Sequence, residues 1–251
     1  VSAFGFGGNN AHLIVEEHRP SASPRAPAAR PPGREVAIVA IGAAVGRGRD
    51  RAEFEAALFS PERERARRAD SIALPLAGTR FTPRDLDQAL AQQTWLLAAS
   101  REALSDLRAE TGARAGVFVG MGCDPEVARY GARWRLADWA DAWGEHDEAW
   151  RRAAAEAFTP VLEPAGVLGT MPNVPANRLN VQFDLGGMGF AVSAEELSGV
   201  RALQIAARAL ALGELDVALV GAADFSCEPV HKAALAALEG AVEPGWTFSI
   251  S

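Results

Sequence analysis

Short apolar runs recur along the chain and predict the strands of a buried sheet. They are EVAIVAIG at 35–42, ARAGVFVGMG at 113–122, MGFAVSAEE at 188–196 and DVALVGAAD at 216–224. The first two end at glycine, and apolar runs of this length are typical of strands that are covered on both faces. The sequence therefore predicts four strands, with at least the first two inside the molecule.

Apolar residues spaced for one face of a helix separate these strands. The spacing predicts helices over 50–59, over about 83–107, over 199–213 with Gly213 at its end, and over 228–238. The strand, helix and strand that follow one another over 188–224 predict parallel strands with helices on their faces. The predicted fold class is therefore α/β.

Residues 125–157 combine many charges with indole side chains. Trp139, Trp143 and Trp150 recur at helical spacing in this stretch. The spacing predicts an amphipathic helix that packs its indoles.

The beginning of the chain differs in composition from the rest. Residues 1–18 combine a glycine-rich turn with a short predicted strand, AHLIVEE, and residues 19–34 hold five prolines and four alanines. A segment with so few large apolar side chains cannot bury enough surface to offset its ordering entropy. We therefore expect 19–34 to be a semi-extended linker and 1–18 to be the tail of an upstream domain.

Composition and charge argue against several classes of protein. The 251 residues are 49% hydrophobic, and their net charge of −7 argues against general nucleic-acid binding. No apolar run reaches the roughly 18 residues of a membrane span, and no secretory signal begins the chain. Cys123 and Cys227 stand far apart, which excludes a disulfide scaffold, and the four histidines show no metal-ligand spacing. We expect a cytoplasmic chain without a metal site.

Two turns are candidates for chemistry. Gly42, Gly46 and Gly48 follow a predicted strand, so they form either a plain turn or a phosphate cradle of a nucleotide-binding α/β domain. The turn SAEELSG at 193–199 lies between a strand and a helix, where the helix dipole stabilises an anion. It offers Glu195 and Glu196 but no thiol, and these residues either cap the helix or line a pocket.

Three blocks of sequence resemble the β-ketoacyl synthases, the condensing enzymes of fatty acid and polyketide assembly. FGFGGNNAH at 4–12 resembles the glycine-rich motif near the end of a ketosynthase, and REVAIVAIG at 34–42 resembles the opening strand of a second one. The third block, from ANRLN at 176 to ADFS at 226, resembles the segment around the nucleophilic cysteine. The resemblance implies a thiolase-like αβαβα layered fold, of which residues 35–251 hold the N-terminal half.

Glu196 stands at the position that resembles the family's nucleophilic cysteine. Counted without a gap from ANR, Glu195 replaces the usual alanine and Leu197 the usual serine. A carboxylate cannot carry a thioester-linked acyl chain, so the resemblance implies a domain that does not condense. Cysteine-less copies in the family are chain-length factors, and the order of segments resembles the ketosynthase and chain-length-factor tandem of polyunsaturated-fatty-acid or polyketide synthases.

The resemblance also implies partners and further site residues. Phe6, Gly7 and Gly8 match the tunnel mouth and oxyanion region of the upstream ketosynthase, while Met171 and Asn173 match a loop that gates the partner's tunnel. The implied partners are an active ketosynthase, in a pseudo-heterodimer, and acyl carrier protein, whose phosphopantetheine thioesters are the substrates; no cofactor binds directly. An alternative hypothesis makes Glu195 or Glu196 the tuned carboxylate of a malonyl-carrier-protein decarboxylase. A lone methionine such as Met171 can equally be a filler of the core.

Overall fold

The computed structural model describes residues 1–4, 10–17, 35–45, 50–59, 71–105, 107, 112–225 and 229–239. At the beginning of the chain, β1 (Ser2–Phe4) pairs antiparallel with β2 (Asn10–His12), and Ser2 lies opposite His12. The predicted strand AHLIVEE is shorter in the structure: the Leu13 N–H still donates to the Val1 carbonyl at 2.7 Å, but Ile14 and Val15 lie beyond the strand and are exposed. The predicted linker at 19–34 lies outside the described residues.

The remaining elements include nine α-helices and three strands in the described residues. They are α1 (Arg51–Phe59), α2 (Pro83–Asp87), α3 (Ala91–Ser105), β3 (Ala115–Met121), α4 (Ala128–Trp143), α5 (Glu148–Phe158), α6 (Pro164–Thr170), α7 (Val174–Phe183), β4 (Gly189–Val192), α8 (Ser198–Ala211), β5 (Val217–Ala223) and α9 (Pro229–Glu239). None of the helices in the described ranges is both long and apolar enough to cross a membrane.

The second sheet has three parallel strands in the order β4-β3-β5. Gly120 of β3 lies opposite Val192 of β4, and Met121 lies opposite Ala223 of β5. The carboxyl ends of all three strands therefore meet at one edge. The predictions of parallel strands and of an α/β fold are confirmed.

Each face of this sheet is covered by helices. Val117 and Val119 of β3 are fully buried in a cluster with residues of α3 and α7, including Leu97 and Leu179. Phe118 points to the opposite face, where a second cluster contains residues of α8. Burying one such side chain contributes roughly 1.5–3 kcal/mol. The alternating side chains of β3 thus hold the two helical layers onto the sheet.

The apolar run at 35–42 does not form the predicted buried strand. Ile38 and Val39 are 74% and 72% exposed, and the segment runs past α3 without joining the sheet. It is held there because the backbone N–H of Ala43 donates to Glu102 Oε2 at 2.9 Å. Since β3 already has β4 on one side and β5 on the other, it offers no free backbone edge to this segment.

The helix predicted over 83–107 is two helices in the structure. Thr82 begins α2 with a capping box, in which its side chain accepts from Asp85 N while the Asp85 carboxylate accepts from Thr82 N. The chain then turns at Gln88–Leu90 before α3 begins. α6 packs against this turn.

The stretch at 125–157 is also divided, into the antiparallel pair α4 and α5. Gly144 ends α4 at φ +75°, a backbone conformation that glycine adopts without cost, and the Asp147 side chain caps α5 by accepting from Ala149 N at 2.8 Å. The predicted packing of the indoles is incomplete, since Trp143 is 66% exposed and Trp139 37%.

Candidate functional site

Three turns meet where the parallel strands of the second sheet end. Residues 122–124 follow β3, residues 193–197 follow β4 and residues 224–225 follow β5. In open α/β sheets, ligands bind outside the carboxyl ends of the strands. The candidate site therefore lies at this edge, and it contains the position that resembles the family's nucleophile.

The turn between β4 and α8 is held by its own backbone and by Ser198. The Ser198 hydroxyl is buried, donates to the Glu195 carbonyl at 2.6 Å and accepts from the Ala194 N–H at 2.9 Å. The backbone N–H groups of Leu197 and Ser198 donate to the carbonyls of Ala194 and Glu195. Glu195 takes φ +53°, in the left-handed region that disfavours residues with a Cβ atom.

Neither role considered for the two glutamates of this turn gains support from the described structure. Leu197 is the residue that precedes α8, and no side chain in the described structure caps this helix end. Both Glu195 and Glu196 are exposed. A decarboxylase would need a buried carboxylate with a raised pKa, and the exposure of both glutamates gives that hypothesis no support.

The start of α8 presses closely against the sheet. A Cβ atom added to Gly120 of β3 would lie 2.4 Å from the Ser198 carbonyl, and one added to Gly199 would lie 2.9 Å from the Ala222 side chain. Only glycine allows these approaches. Gly120 therefore allows the start of α8, and with it the Glu195–Glu196 turn, to lie close to β3.

Asp124 in the neighbouring turn is a site residue that the sequence analysis missed. It is 3% exposed and accepts from the backbone N–H groups of Glu126 at 3.0 Å and Gln92 at 3.4 Å. Burial raises the pKa of its carboxyl, and these two hydrogen bonds offset part of the shift. An aspartate two residues after a predicted strand was the available signal, but its partner in α3 is distant in sequence.

Cys123 is the thiol of the candidate site. Its side chain is exposed and lies beside Asp124. Desolvation, and after it the charge of Asp124, raises the pKa of the Cys123 thiol. A thiol attacks as its thiolate, and a raised pKa lowers the fraction of thiolate at neutral pH. Cys123 is therefore a poor substitute for a nucleophile at position 196.

Met171 and Asn173 lie in the connection between α6 and α7, on the face of the sheet opposite α8. Met171 ends α6, Asn173 precedes α7, and both are partly buried. The Met171 carbonyl accepts from the backbone N–H of Val174 at 3.2 Å. The structure therefore places these two residues in a different layer from the start of α8.

Several predicted site residues lie outside the described residues. These are Phe6, Gly7, Gly8, Gly46 and Gly48. Cys227 also lies outside the described residues. Gly42 is described, and a Cβ atom there would lie 2.0 Å from the Ala99 carbonyl of α3. Close packing on α3 therefore explains Gly42 without a phosphate. In the described part of the chain, no group of three or more metal-ligating side chains comes together.

Solved structures share this arrangement of layers. A structure titled "PfaC Keto synthase-Chain length factor" superposes with a TM-score of 0.67 at 19% identity and covers 92% of this chain and 28% of its own. The type II polyketide complex AntDE:AntF superposes with a TM-score of 0.52 at 16% identity and covers 78% of this chain and 53% of its own. These likenesses show the thiolase-like fold.

Sequence comparisons give the family. One polypeptide of the polyunsaturated fatty acid synthase of Thraustochytrium sp. is 28% identical to this chain over 270 aligned residues, which cover 90% of this chain. The chain spans 13% of the length of that relative. The family model of the beta-ketoacyl synthase N-terminal domain matches residues 64–247, which is most of the chain. The chain therefore belongs to the beta-ketoacyl synthase family.

Proposed function

We propose that residues 35–251 belong to a ketosynthase-like partner domain that pairs with an active β-ketoacyl-carrier-protein synthase and helps to set acyl chain length. Residues 1–18 would then be the end of the upstream ketosynthase, and 19–34 the linker between the two. The observation that carries the proposal is Glu196, which stands at the position that resembles the family's nucleophile, in a chain that belongs to the family.

The chemistry of condensation supports a role without catalysis. A ketosynthase transfers an acyl group from a carrier-protein thioester to its own thiolate, whereas a carboxylate would form a mixed anhydride, which is a poor acyl carrier. Glu196 is exposed, and the nearby thiol of Cys123 has a raised pKa. Neither side chain offers a good nucleophile at neutral pH.

The names of the similar proteins support the kind of partner. One is a component of a polyunsaturated fatty acid synthase, one is titled as a ketosynthase and chain-length factor, and one is a ketosynthase in complex with its acyl carrier protein. By this proposal the domain binds a ketosynthase and works on phosphopantetheine-linked acyl chains without a cofactor of its own. Met171 and Asn173 would contribute to the gate that measures the chain.

Acyl loading at position 196 tests the proposal directly. The complete protein is incubated with acyl carrier protein that carries a labelled acyl group, and is then digested with trypsin. Residue 196 lies in the tryptic peptide 179–201, which contains no cysteine in the wild type. In the Glu196→Cys variant, the introduced cysteine is therefore the only thiol of this peptide. We expect no label on this peptide in the wild type and measurable label in Glu196→Cys.

Glu195→Cys is the matched control, because it places a thiol one residue away in the same turn. Loading of Glu196→Cys but not of Glu195→Cys would show that position 196 keeps the geometry of the family's nucleophile. Label on the wild-type 179–201 peptide would overturn the proposal. Label on a peptide with Cys123, abolished by Cys123→Ser, would also overturn it, because the domain would then have its own acyl acceptor.

A further inference from the structure

Gln93 in the first turn of α3 reaches across to the end of α6. Its side chain is 4% exposed, and its amide nitrogen donates to the carbonyls of Leu168 at 2.9 Å, Gly169 at 2.7 Å and Met171 at 3.5 Å. The last carbonyls of a helix have no donor within that helix. One buried amide therefore supplies the hydrogen bonds that the end of α6 lacks.

Backbone contacts bring the same segment against the turn between α2 and α3. The Leu90 N–H donates to the Gly169 carbonyl at 3.1 Å. A Cβ atom on Gly169 would lie 2.2 Å from the Gln88 carbonyl, so the two backbones touch. The end of α6 has no room to shift toward α3.

The beginning of α6 is held by the same pair of helices. Glu163, the residue before α6, accepts from Gln88 Nε2 at 3.0 Å and forms an ion pair with Arg84 of α2. Gln88 and Arg84 thus hold the first turn of α6 while Gln93 holds the last. Of these three side chains, Gln93 is the one that bonds to the carbonyl of Met171.

We infer that Gln93 is a positioning residue that holds Met171 in place and thereby sets the acyl length at which the gate acts. The inference rests on the proposed function, because it takes Met171 to be part of that gate. Gln93 is not a catalytic residue: it acts through the carbonyls of the α6–α7 connection. Without its amide donor, the last turn of α6 and Met171 lose these hydrogen bonds to α3, while the side chain of Met171 is unchanged and the Leu90–Gly169 backbone bond remains.

Gln92 provides a matched control for Gln93. It is the preceding residue of the same helix and is equally buried at 4%, but its amide donates to the Gly122 carbonyl after β3 at 3.2 Å. Gln93→Met and Gln92→Met each remove one buried amide and keep the length of the side chain. The two variants therefore differ in which loop loses its donor.

The experiment compares Gln93→Met, Gln92→Met and Met171→Ala in the complete synthase. Hydrogen exchange is measured at residues 169–174, and the products are analysed for acyl length. For Gln93→Met we expect exchange about five- to tenfold faster in this segment, as the loss of one or two net hydrogen bonds predicts. We also expect its product lengths to change in the same direction as those of Met171→Ala. Gln92→Met should leave exchange at 169–174 at the wild-type rate, because its amide donates to a different loop, and it should not change the product lengths in the direction of Met171→Ala.

The outcomes separate the inference from the proposed function. If Met171→Ala leaves the product lengths unchanged, the gate is wrong, and the inference falls with it. If Met171→Ala changes the lengths but Gln93→Met does not, only the inference is overturned. A change of length in Gln92→Met equal to that in Gln93→Met would likewise overturn it, since general loosening would then be the cause. If Gln93→Met does not fold, Gln93→Leu replaces it, because leucine is also apolar and has no donor.

Discussion

Two acidic turns lie side by side at the carboxyl edge of the sheet, and their carboxylates differ in exposure to solvent. Asp124 after β3 is 3% exposed, whereas Glu195 and Glu196 after β4 are exposed. The turn after β3 supplies an acceptor to the start of α3, and the turn after β4 leads into α8. The difference lies in which acceptor takes the N–H groups at each helix end.

At α3 the acceptor is a side chain, and at α8 it is the backbone. The N–H of Gln92 near the start of α3 donates to the Asp124 carboxylate, so this carboxylate is buried with hydrogen bonds in place of water. The first N–H of α8, on Ser198, donates to the Glu195 carbonyl, and neither glutamate carboxylate caps this helix end in the described structure. A helix N-terminus therefore does not by itself create an anion site, because the turn can use its N–H groups first.

The largest expected effect on stability comes from Gly120→Ala, which places a methyl group between β3 and the start of α8. The new methyl group would overlap the Ser198 backbone, so α8 and its turn must move away from β3. We expect a loss of about 3 kcal/mol or more in the free energy of unfolding, measured by urea denaturation. Gly122→Ala is the control, since no atom lies within 4 Å of its new Cβ, and it should cost far less. Equal losses in both variants would contradict the close-packing explanation.

Asp124→Ala removes the buried acceptor of the other turn. It leaves the N–H groups of Gln92 and Glu126 without their carboxylate, and we expect a loss of about 1–3 kcal/mol in the free energy of unfolding. Asp124→Asn keeps one acceptor oxygen and should lose less.

The pH dependence of stability gives a second test of Asp124. Its pKa is raised in the folded protein, so the folded state holds the proton more tightly than the unfolded state. This carboxyl therefore contributes a decrease in stability as the pH rises from its unfolded pKa through its folded pKa. The decrease should be smaller in Asp124→Asn than in the wild type when unfolding is followed across acidic pH. An unchanged profile would show that Asp124 does not titrate in a buried environment.

Glu195→Gly should stabilise the exposed turn. Glycine adopts φ +53° without the cost that Glu195 bears, and we expect a gain of up to about 1 kcal/mol in the free energy of unfolding. Glu196→Gly is the control, because Glu196 is not among the residues with positive φ in the described structure. A loss of stability in Glu195→Gly as large as that in Glu196→Gly would argue against strain at Glu195.

The smallest expected effect is on the reactivity of Cys123. In a Cys227→Ser background, Asp124→Asn removes the neighbouring negative charge that helps to raise the pKa of Cys123. Alkylation by iodoacetamide near neutral pH should then be faster, by no more than about fivefold, because desolvation remains. Slower alkylation in Asp124→Asn would contradict this electrostatic explanation.

Local pattern predicted most of the sheet and one of its acidic turns. The runs at 113–122, 188–196 and 216–224 contain β3, β4 and β5, because short apolar runs are typical of parallel strands that are covered on both faces. The turn with Glu195 and Glu196 was predicted from its place between a strand and a helix. The exposure of these two glutamates was not predicted, because it depends on how the Ser198 hydrogen bonds fold the turn.

The sequence by itself determined the fold class, the family and the absence of a thiol at position 196, because these depend on residue types and their order. Tertiary structure decided that 35–42 runs past α3, that Asp124 is the buried carboxylate and that Gln93 holds the end of α6. Each of these depends on a contact between residues distant in sequence, such as Ala43 with Glu102 or Gln93 with Gly169. A local pattern shows which groups need a partner, and the packing of the chain selects the partner.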